Sequence, residues 1–370
     1  MPTQARGGVA ARVVLGSCAS LAGAVWLSTA LWPLRPTGAW PLVAELQASA
    51  FLGGVVLAVG VTLLLSLHRR FWPAVGLAAV VGLVGVVLCV AVPRVPAPSK
   101  SAEERETSAT AQYATQQAAQ GAGQEARQDA RTVRVMAANT FFQGADDQQL
   151  AAVIKRVHPD VVFLSETDQE EASTVAAATG MTSLTPVDPG GFGPPGRKGP
   201  AGVATLASPA YLARTGGLAQ LVPGVTQFQL PQLTIFPGTA NQARLVGVHS
   251  VAPTGPAREQ WLSDTARLRQ WVTGHHVDGQ GVGGQEPVAK QPLVMAGDFN
   301  STRWHPGFRA LLSEAGLHSC TGYLAHRPTW PATSPAFRLD HVLTTGQCLD
   351  GGAEKIEGSD HLAVWATVTT

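Results

Sequence analysis

Three stretches near the N-terminus carry no charged residue: Val13 to Leu34, Ala48 to Leu67 and Phe71 to Val92. A helix needs about 20 apolar residues to cross about 30 Å of hydrocarbon, and each stretch reaches that length. Trp32, Trp40 and Trp72 fall near the ends of the stretches, where aromatic rings settle at a membrane surface. Residues 1–92 are therefore expected to form a membrane domain with three transmembrane helices. A signal peptide is the alternative for the first stretch, because Arg6 and Arg12 precede it and small residues lie within it. The two further stretches count against that alternative. By the positive-inside rule, Arg6, Arg12, Arg69 and Arg70 put the N-terminus and the second turn on the inner side. Everything after Val92 is then expected outside, as an extracytoplasmic domain on a plasma-membrane protein. Arg94 and Lys100 pull the other way.

Charged residues make up only 14% of the 370-residue chain and hydrophobic residues 45%, and the apolar excess sits in those first stretches. From Arg131 onward, 17 Lys and Arg stand against 19 Asp and Glu, a net charge of −2. A domain that grips nucleic acid usually carries a basic stripe, and none is visible here. Pro93, Pro96 and Pro98 stop the third apolar stretch. Residues 93–131 are rich in Ala, Gln, Glu and Ser and carry little that can be buried, so they read as a linker. Cys320 and Cys348 either pair, in an oxidising compartment, or remain two small core residues.

Residues 132–370 read differently. Apolar β-type runs at Val133 to Ala137, Asp160 to Leu164, Gly202 to Leu206, Arg244 to Val248, Pro292 to Ala296, Leu339 to Leu343 and Leu362 to Val368 alternate with helical spacing. The helical stretches are Asp146 to Val157, Arg258 to Val272 and Phe308 to Ala315. Interleaved strands and helices predict a layered α/β domain with sheet at its centre.

Several runs are bordered by a residue able to do chemistry: Asn139, Glu166, His249, Asp298 with Asn300, Asp340, and Asp360 with His361. Taken singly, each has a plain reading. Asn139 suits a turn, Glu166 a solvated strand end, His249 a packed histidine, and Asp298-Phe299-Asn300 a turn. His341 beside Asp340 is expected only to pack. A single plain reading for all of them in order is harder to sustain, because side chains at strand ends project from a rigid scaffold into loops.

The strings Gly297-Asp298-Phe299-Asn300 and Ser359-Asp360-His361 resemble the endonuclease/exonuclease/phosphatase superfamily, the DNase I-like metal-dependent phosphoesterases. His249-Ser250-Val251-Ala252-Pro253 and Arg338-Leu339-Asp340-His341-Val342 support the likeness, which spans roughly Val133 to Val368. It implies a four-layer α/β sandwich, two mixed β-sheets packed face to face with helices outside, here preceded by three transmembrane helices. It implies roles as well. Glu166, Asn139 and Asp360 would serve the metal. His249 would hold the phosphate, Asp298 the attacking water and Asn300 the phosphate. Asp340 would orient His361. The implied cofactor is Mg²⁺, with Mn²⁺ as an alternative, since a hard cation takes one or two carboxylates plus substrate phosphate. Phe141 departs from the pattern, because some DNA-cutting relatives carry an acid there.

The expected function is a membrane-anchored phosphoesterase acting on a phosphate ester or pyrophosphate, lipid-linked, with membrane lipid as the partner. A tethered nuclease acting on external nucleic acid is the alternative, and a catalytically silent binding module a third. Arg197 and Lys198 in a Gly/Pro-rich loop, and Arg303 with Trp304, are further residues within reach of such a pocket; the loop itself reads best as surface.

Overall fold

In the computed structural model, which describes residues 13–26, 47, 49–65, 131–188, 190–192, 199–274, 291–320 and 328–370, the chain after Arg131 forms strands separated by helices. The strands are β1 (Thr132–Asn139), β2 (Val161–Thr167), β3 (Thr182–Ser183), β4 (Gly191–Phe192), β5 (Gly199–Pro200), β6 (Gly202–Ala207), β7 (Leu218–Val222), β8 (Leu230–Ile235), β9 (Ala243–His249), β10 (Leu293–Asp298), β11 (His318–Ser319), β12 (Asp340–Thr344), β13 (Cys348–Lys355) and β14 (Leu362–Thr369). One sheet runs β13-β14-β1-β2-β6-β3 and the other β11-β12-β10-β9-β8-β7.

The central strands are apolar on both faces because each face has a partner layer. In β1, Val133, Val135 and Ala137 point into the core shared by the two sheets, and Met136 and Ala138 point to the helices outside. In β10, Val294 and Ala296 face the shared core while Leu293 and Met295 face the other helical layer. The helices Asp147–Val157 and Gln169–Thr179 cover the first sheet, and Arg258–Thr273 and Pro306–Ala315 cover the second. Helix, sheet, sheet, helix is the expected α/β sandwich with two mixed sheets. Asp160, read as strand, instead lies before β2 and accepts the Arg134 amide at 2.8 Å. Cys320 and Cys348 are joined as a disulfide that ties the loop after β11 to β13.

Residues 13–26 are helical, as is Ala50–Leu65. The latter has 16 residues, a rise of about 24 Å, short of the hydrocarbon thickness. Among the described residues no helix is long and apolar enough to cross a membrane. The three expected spans are thus not seen at full length. The third stretch and the linker before Arg131 lie outside the described residues, as do Arg197 and Lys198. The two N-terminal helical segments run antiparallel and meet through glycine. A Cβ on Gly23 would come within 2.3 Å of the Leu57 backbone, and one on Gly60 within 2.4 Å of the Ser20 backbone.

Candidate active site

Strand polarity gathers the polar border residues. β1 is parallel to β2, and β9 to β10, so the C-terminal ends of four strands share one edge. β14 runs antiparallel to β1, and β12 to β10, so both begin at that edge. His249 is in register with Asp298, and Asp298 with Asp340. All eight residues singled out in the sequence, Asn139, Glu166, His249, Asp298, Asn300, Asp340, Asp360 and His361, come together there.

Local backbone makes the arrangement tight. Gly297 has φ +148°, and a Cβ there would sit 1.9 Å from the Val248 carbonyl oxygen, so only glycine lets β10 press on β9 before Asp298. Glu166 has φ +57°, at an irregularity in the β2–β6 register between Ser165 and Thr167. A left-handed non-glycine residue is strained, and here the strain re-aims a carboxylate. Thr140 holds the turn with one hydroxyl proton shared between the Glu166 carbonyl at 3.0 Å and the Glu171 carboxylate at 2.9 Å.

Hydrogen bonds then fix each side chain. Asn139 Nδ2 donates to Glu166 Oε1 at 2.9 Å and to Asp298 Oδ2 at 3.1 Å, while its Oδ1 accepts the Phe141 amide at 2.8 Å. Asn139 thereby joins two carboxylates from opposite sheets. Asn300, at φ +44°, donates its backbone N–H to Asp298 Oδ1 at 2.8 Å and its side-chain amide to the Ser250 carbonyl at 2.8 Å. Ser359 donates to the Asn139 carbonyl at 2.7 Å and accepts the His361 amide at 3.0 Å, tying the last loop to β1.

The two site histidines differ in charge. His361 Nδ1 donates to Asp340 Oδ2 at 2.8 Å, and its Nε2 faces Asp298 at 3.8 Å and Asp360 at 3.9 Å. Burial opposes its charge, but Asp340 and Asp298 outweigh burial and raise its pKa to about 10. His249 is buried, donates from Nδ1 to the Ala201 carbonyl at 3.3 Å, and stacks on Phe228 at 4.4 Å. Burial lowers its pKa to about 4. It is neutral at ordinary pH, with its Nε2 lone pair toward Glu166 at 3.7 Å, so the expected role of holding the phosphate gives way to that of an acceptor. Burial raises Glu166 to about 7 and Asp298 to about 6; the Asn139 hydrogen bond tempers the first and the His361 charge the second.

His341 packs, as expected. Its Nε2 donates to the Ser301 carbonyl at 2.9 Å, and burial holds it neutral. Arg303 and Trp304 do not line the cleft over the site; they stack on each other at 5.5 Å. The cleft, about 370 Å³, is walled instead by Phe141, Phe142, Trp330, Phe337 and Leu339 above Glu166, Asp298, Asn300, Asp360 and His361. Of the four aromatic walls, only Phe141 stood out in the sequence, as a missing acid. A Trp and a Phe flanking the turn before Leu339 were the available signal.

Two groups, Glu166 with His249 and Asp298, and Asp298 with Asp340 and His361, are close enough to hold a metal ion. Glu166 Oε2 and Asp360 Oδ1 are buried oxygens with no hydrogen-bond partner. Four carboxyl groups around one imidazolium leave an excess of hard oxygen donors, which fits a divalent cation such as Mg²⁺.

Among curated proteins no sequence match is found. Solved structures with a similar fold include humanized D. rerio TDP2, 15% identical over 65% of this chain and 99% of that one, with a TM-score of 0.44. The human Nocturnin catalytic domain is 19% identical over 65% of this chain and 93% of that one, with a TM-score of 0.45. A mannosyl-6-phosphatase of Bacteroides thetaiotaomicron is 12% identical over 64% and 100%, with a TM-score of 0.44. Residues 136–361 match the model of the Endonuclease/Exonuclease/phosphatase family. The chain belongs to that family and is a metal-dependent hydrolase acting on phosphoester bonds.

Proposed function

We propose that this enzyme is anchored in a membrane and hydrolyses a lipid-linked phosphate ester or pyrophosphate at its surface. The observation that carries the catalytic reading is the convergence of Glu166, Asp298 and a cationic His361 beneath one cleft. A divalent ion held by Glu166 and Asp360 would neutralise charge on the phosphoryl oxygens and acidify a bound water. Asn139 holds Glu166 and Asp298 in place. Asp298, with a pKa raised to about 6, takes the proton of the attacking water. His361 donates from Nε2 to a phosphoryl oxygen as negative charge builds there. Neutral His249 offers an acceptor nitrogen that orients a water beside Glu166. Asn300, whose side-chain amide is spent on the Ser250 carbonyl and Asp298, positions the loop that carries Asp298 instead of the phosphate expected of it.

The N-terminal helices support the anchor. Glycines line their mutual contact, while Val14, Leu15, Leu21, Val25, Leu52, Val55 and Val59 are exposed on their outer faces. Small residues inside and large apolar ones outside is how helices pair in lipid, where close backbone approach replaces the hydrophobic effect. The charge-free stretches extend beyond these helical segments, and residues 93–131 would tether the catalytic domain, read here as extracytoplasmic.

Full-length protein in detergent should hydrolyse lipid phosphates with Mg²⁺ and lose activity with chelator. The panel is phosphatidylinositol phosphates, sphingomyelin and undecaprenyl diphosphate against plasmid DNA and RNA, with Asp298→Ala as control. Efficient DNA or RNA cleavage lost in the control would replace the lipid reading with that of a tethered nuclease.

Asp340→Asn removes the charge that keeps His361 cationic. His361 has a raised pKa, so its charged form persists below it and is lost as pH climbs through about 10. The variant should show the alkaline limb of its pH–rate profile about 1–3 units lower, and kcat down by about 10²-fold or more. An unmoved alkaline limb would mean that His361 is not the group titrating there.

A further inference from the structure

We infer that Phe141, Phe142, Trp330 and Phe337 form a specificity slot for the apolar alcohol of a substrate bearing a single phosphate, the alcohol of a lipid. The inference rests on the phosphoesterase reading and narrows its substrate. Phe141, Phe142 and Gln143 have φ of +53°, +54° and +63°. Three successive left-handed non-glycine residues are unfavourable at every step, since L-residues visit that region singly. The surrounding structure enforces the conformation. Gly144 and Gly358 pack backbone on backbone, where a Cβ on Gly358 would meet the Gly144 oxygen at 1.9 Å. Asp146 N–H also donates to the Glu357 carbonyl at 2.8 Å. The product of this strain is a pair of phenyl rings, centroids 5.8 Å apart, lining the cleft.

A second loop supplies the other aromatic pair. Trp330 and Phe337 bond backbone to backbone in both directions at 2.9 Å, with ring centroids 6.0 Å apart. Trp330 Nε1 donates to Asp360 Oδ2 at 3.0 Å, which couples this wall to the carboxylates below. All four rings are half-buried.

The cleft's charge selects against other substrates. Among its described lining residues there is no lysine or arginine; the charged groups are Glu166, Asp298, Asp360 and His361. One phosphate is accommodated by His361 and a divalent ion, while further phosphates would face carboxylates. Away from that floor the polar lining side chains are Thr254 and His305, and His305 Nδ1 already accepts the Thr302 amide at 2.9 Å. A sugar or nucleobase in the slot would leave its own polar groups unpaired. A hydrocarbon chain would not. The Val and Leu faces of the N-terminal helices give this chemistry a lipid source.

The test uses the full chain in detergent with Mg²⁺ and two series, n-alkyl phosphates and n-alkyl phosphocholines from ethyl to octyl, below their micelle concentrations. Inositol trisphosphate and bis(p-nitrophenyl) phosphate are the comparators. In at least one series kcat/KM should rise about fourfold per methylene, as expected when each is buried. Phe142→Ser and Phe337→Ser, with folding checked by thermal unfolding, should flatten that slope to below about twofold per methylene. They lie on separate loops, so either one carries the comparison if the other unfolds. A flat wild-type slope, a slope unchanged in a folded variant, or preference for inositol trisphosphate overturns the slot and leaves the phosphoesterase standing. Failure to hydrolyse bis(p-nitrophenyl) phosphate and every other ester removes the phosphoesterase reading itself.

Discussion

Replacing Asp298 with asparagine is expected to lower kcat by about 10³-fold or more while the domain stays folded. The effect is large because both oxygens of this buried carboxylate are held by donors. Oδ1 accepts the Asn300 backbone N–H, and Oδ2 accepts the amides of Asn139 and Asn300 at 3.1 and 3.3 Å. An asparagine amide group must therefore meet a donor whichever way it is turned, a loss of about 1–3 kcal/mol. Removal of a buried charge offsets part of that, which is why the fold survives. The chemical loss has no such offset. The variant lacks an acceptor for the water's proton, and a positioned base contributes about 10²–10⁴-fold. It also misaligns Asn139, and through it Glu166. The measurement is kcat under saturating Mg²⁺ together with the thermal transition of the same preparation. Retention of activity within tenfold of wild type, with an unchanged transition, would remove Asp298 from the chemistry.

How much of this was legible in the sequence differs between residues. The buried strands announced themselves, because Val161 to Leu164 and Pro292 to Ala296 are apolar at successive positions, as strands covered on both faces must be. The helix Asp147–Val157 was legible from Leu150, Val153, Ile154 and Val157, all buried. The helix Gln169–Thr179 was not, because its covered face is Glu171, Ala172, Val175 and Ala176, with a single large apolar side chain and little periodic signal; its marks are the caps Asp168 and Gly180. β7, β8 and β13 escaped as well. β7 and β13 are the outer strands of their sheets, with exposed faces and no apolar run, and β8 carries Pro231 and Gln232. The site residues were legible as strand borders plus a family likeness. Their state of charge was legible only for His361, through its pairing with Asp340. His249 and His361 are both histidines at strand borders in the sequence, yet one is held neutral against a carbonyl and the other cationic among three carboxylates. That difference arises from which loop folds over each ring. The aromatic walls depend on left-handed backbone at Phe141 and Phe142, and bulky residues give no local cue for it.

Glu166→Gln should separate the stability of this site from its use. Burial raises the Glu166 carboxyl from 4.5 to about 7, so the folded chain holds this proton more tightly than the unfolded chain does. The resulting contribution to stability is complete below pH 4.5 and is lost as pH rises through about 7. In chelator, wild-type protein should thus become less stable between about pH 5 and pH 8, by on the order of 2–3 kcal/mol from this group. The glutamine side chain carries no charge to bury. The variant should melt close to wild type at about pH 5 and several degrees above it at about pH 8. Divalent metal reverses the order. A cation that binds only the folded state stabilises it by mass action, so Mg²⁺ should raise the wild-type transition at about pH 8 and raise the variant's much less. Activity should fall by about 10²-fold or more in the same variant. The decisive comparison is a set of melting curves at that alkaline pH, wild type and variant, each with chelator and with Mg²⁺. Equal Mg²⁺ shifts in the two proteins would show that Glu166 does not hold the ion. A variant less stable than wild type in chelator would show that its carboxylate is already compensated by the Asn139 amide alone.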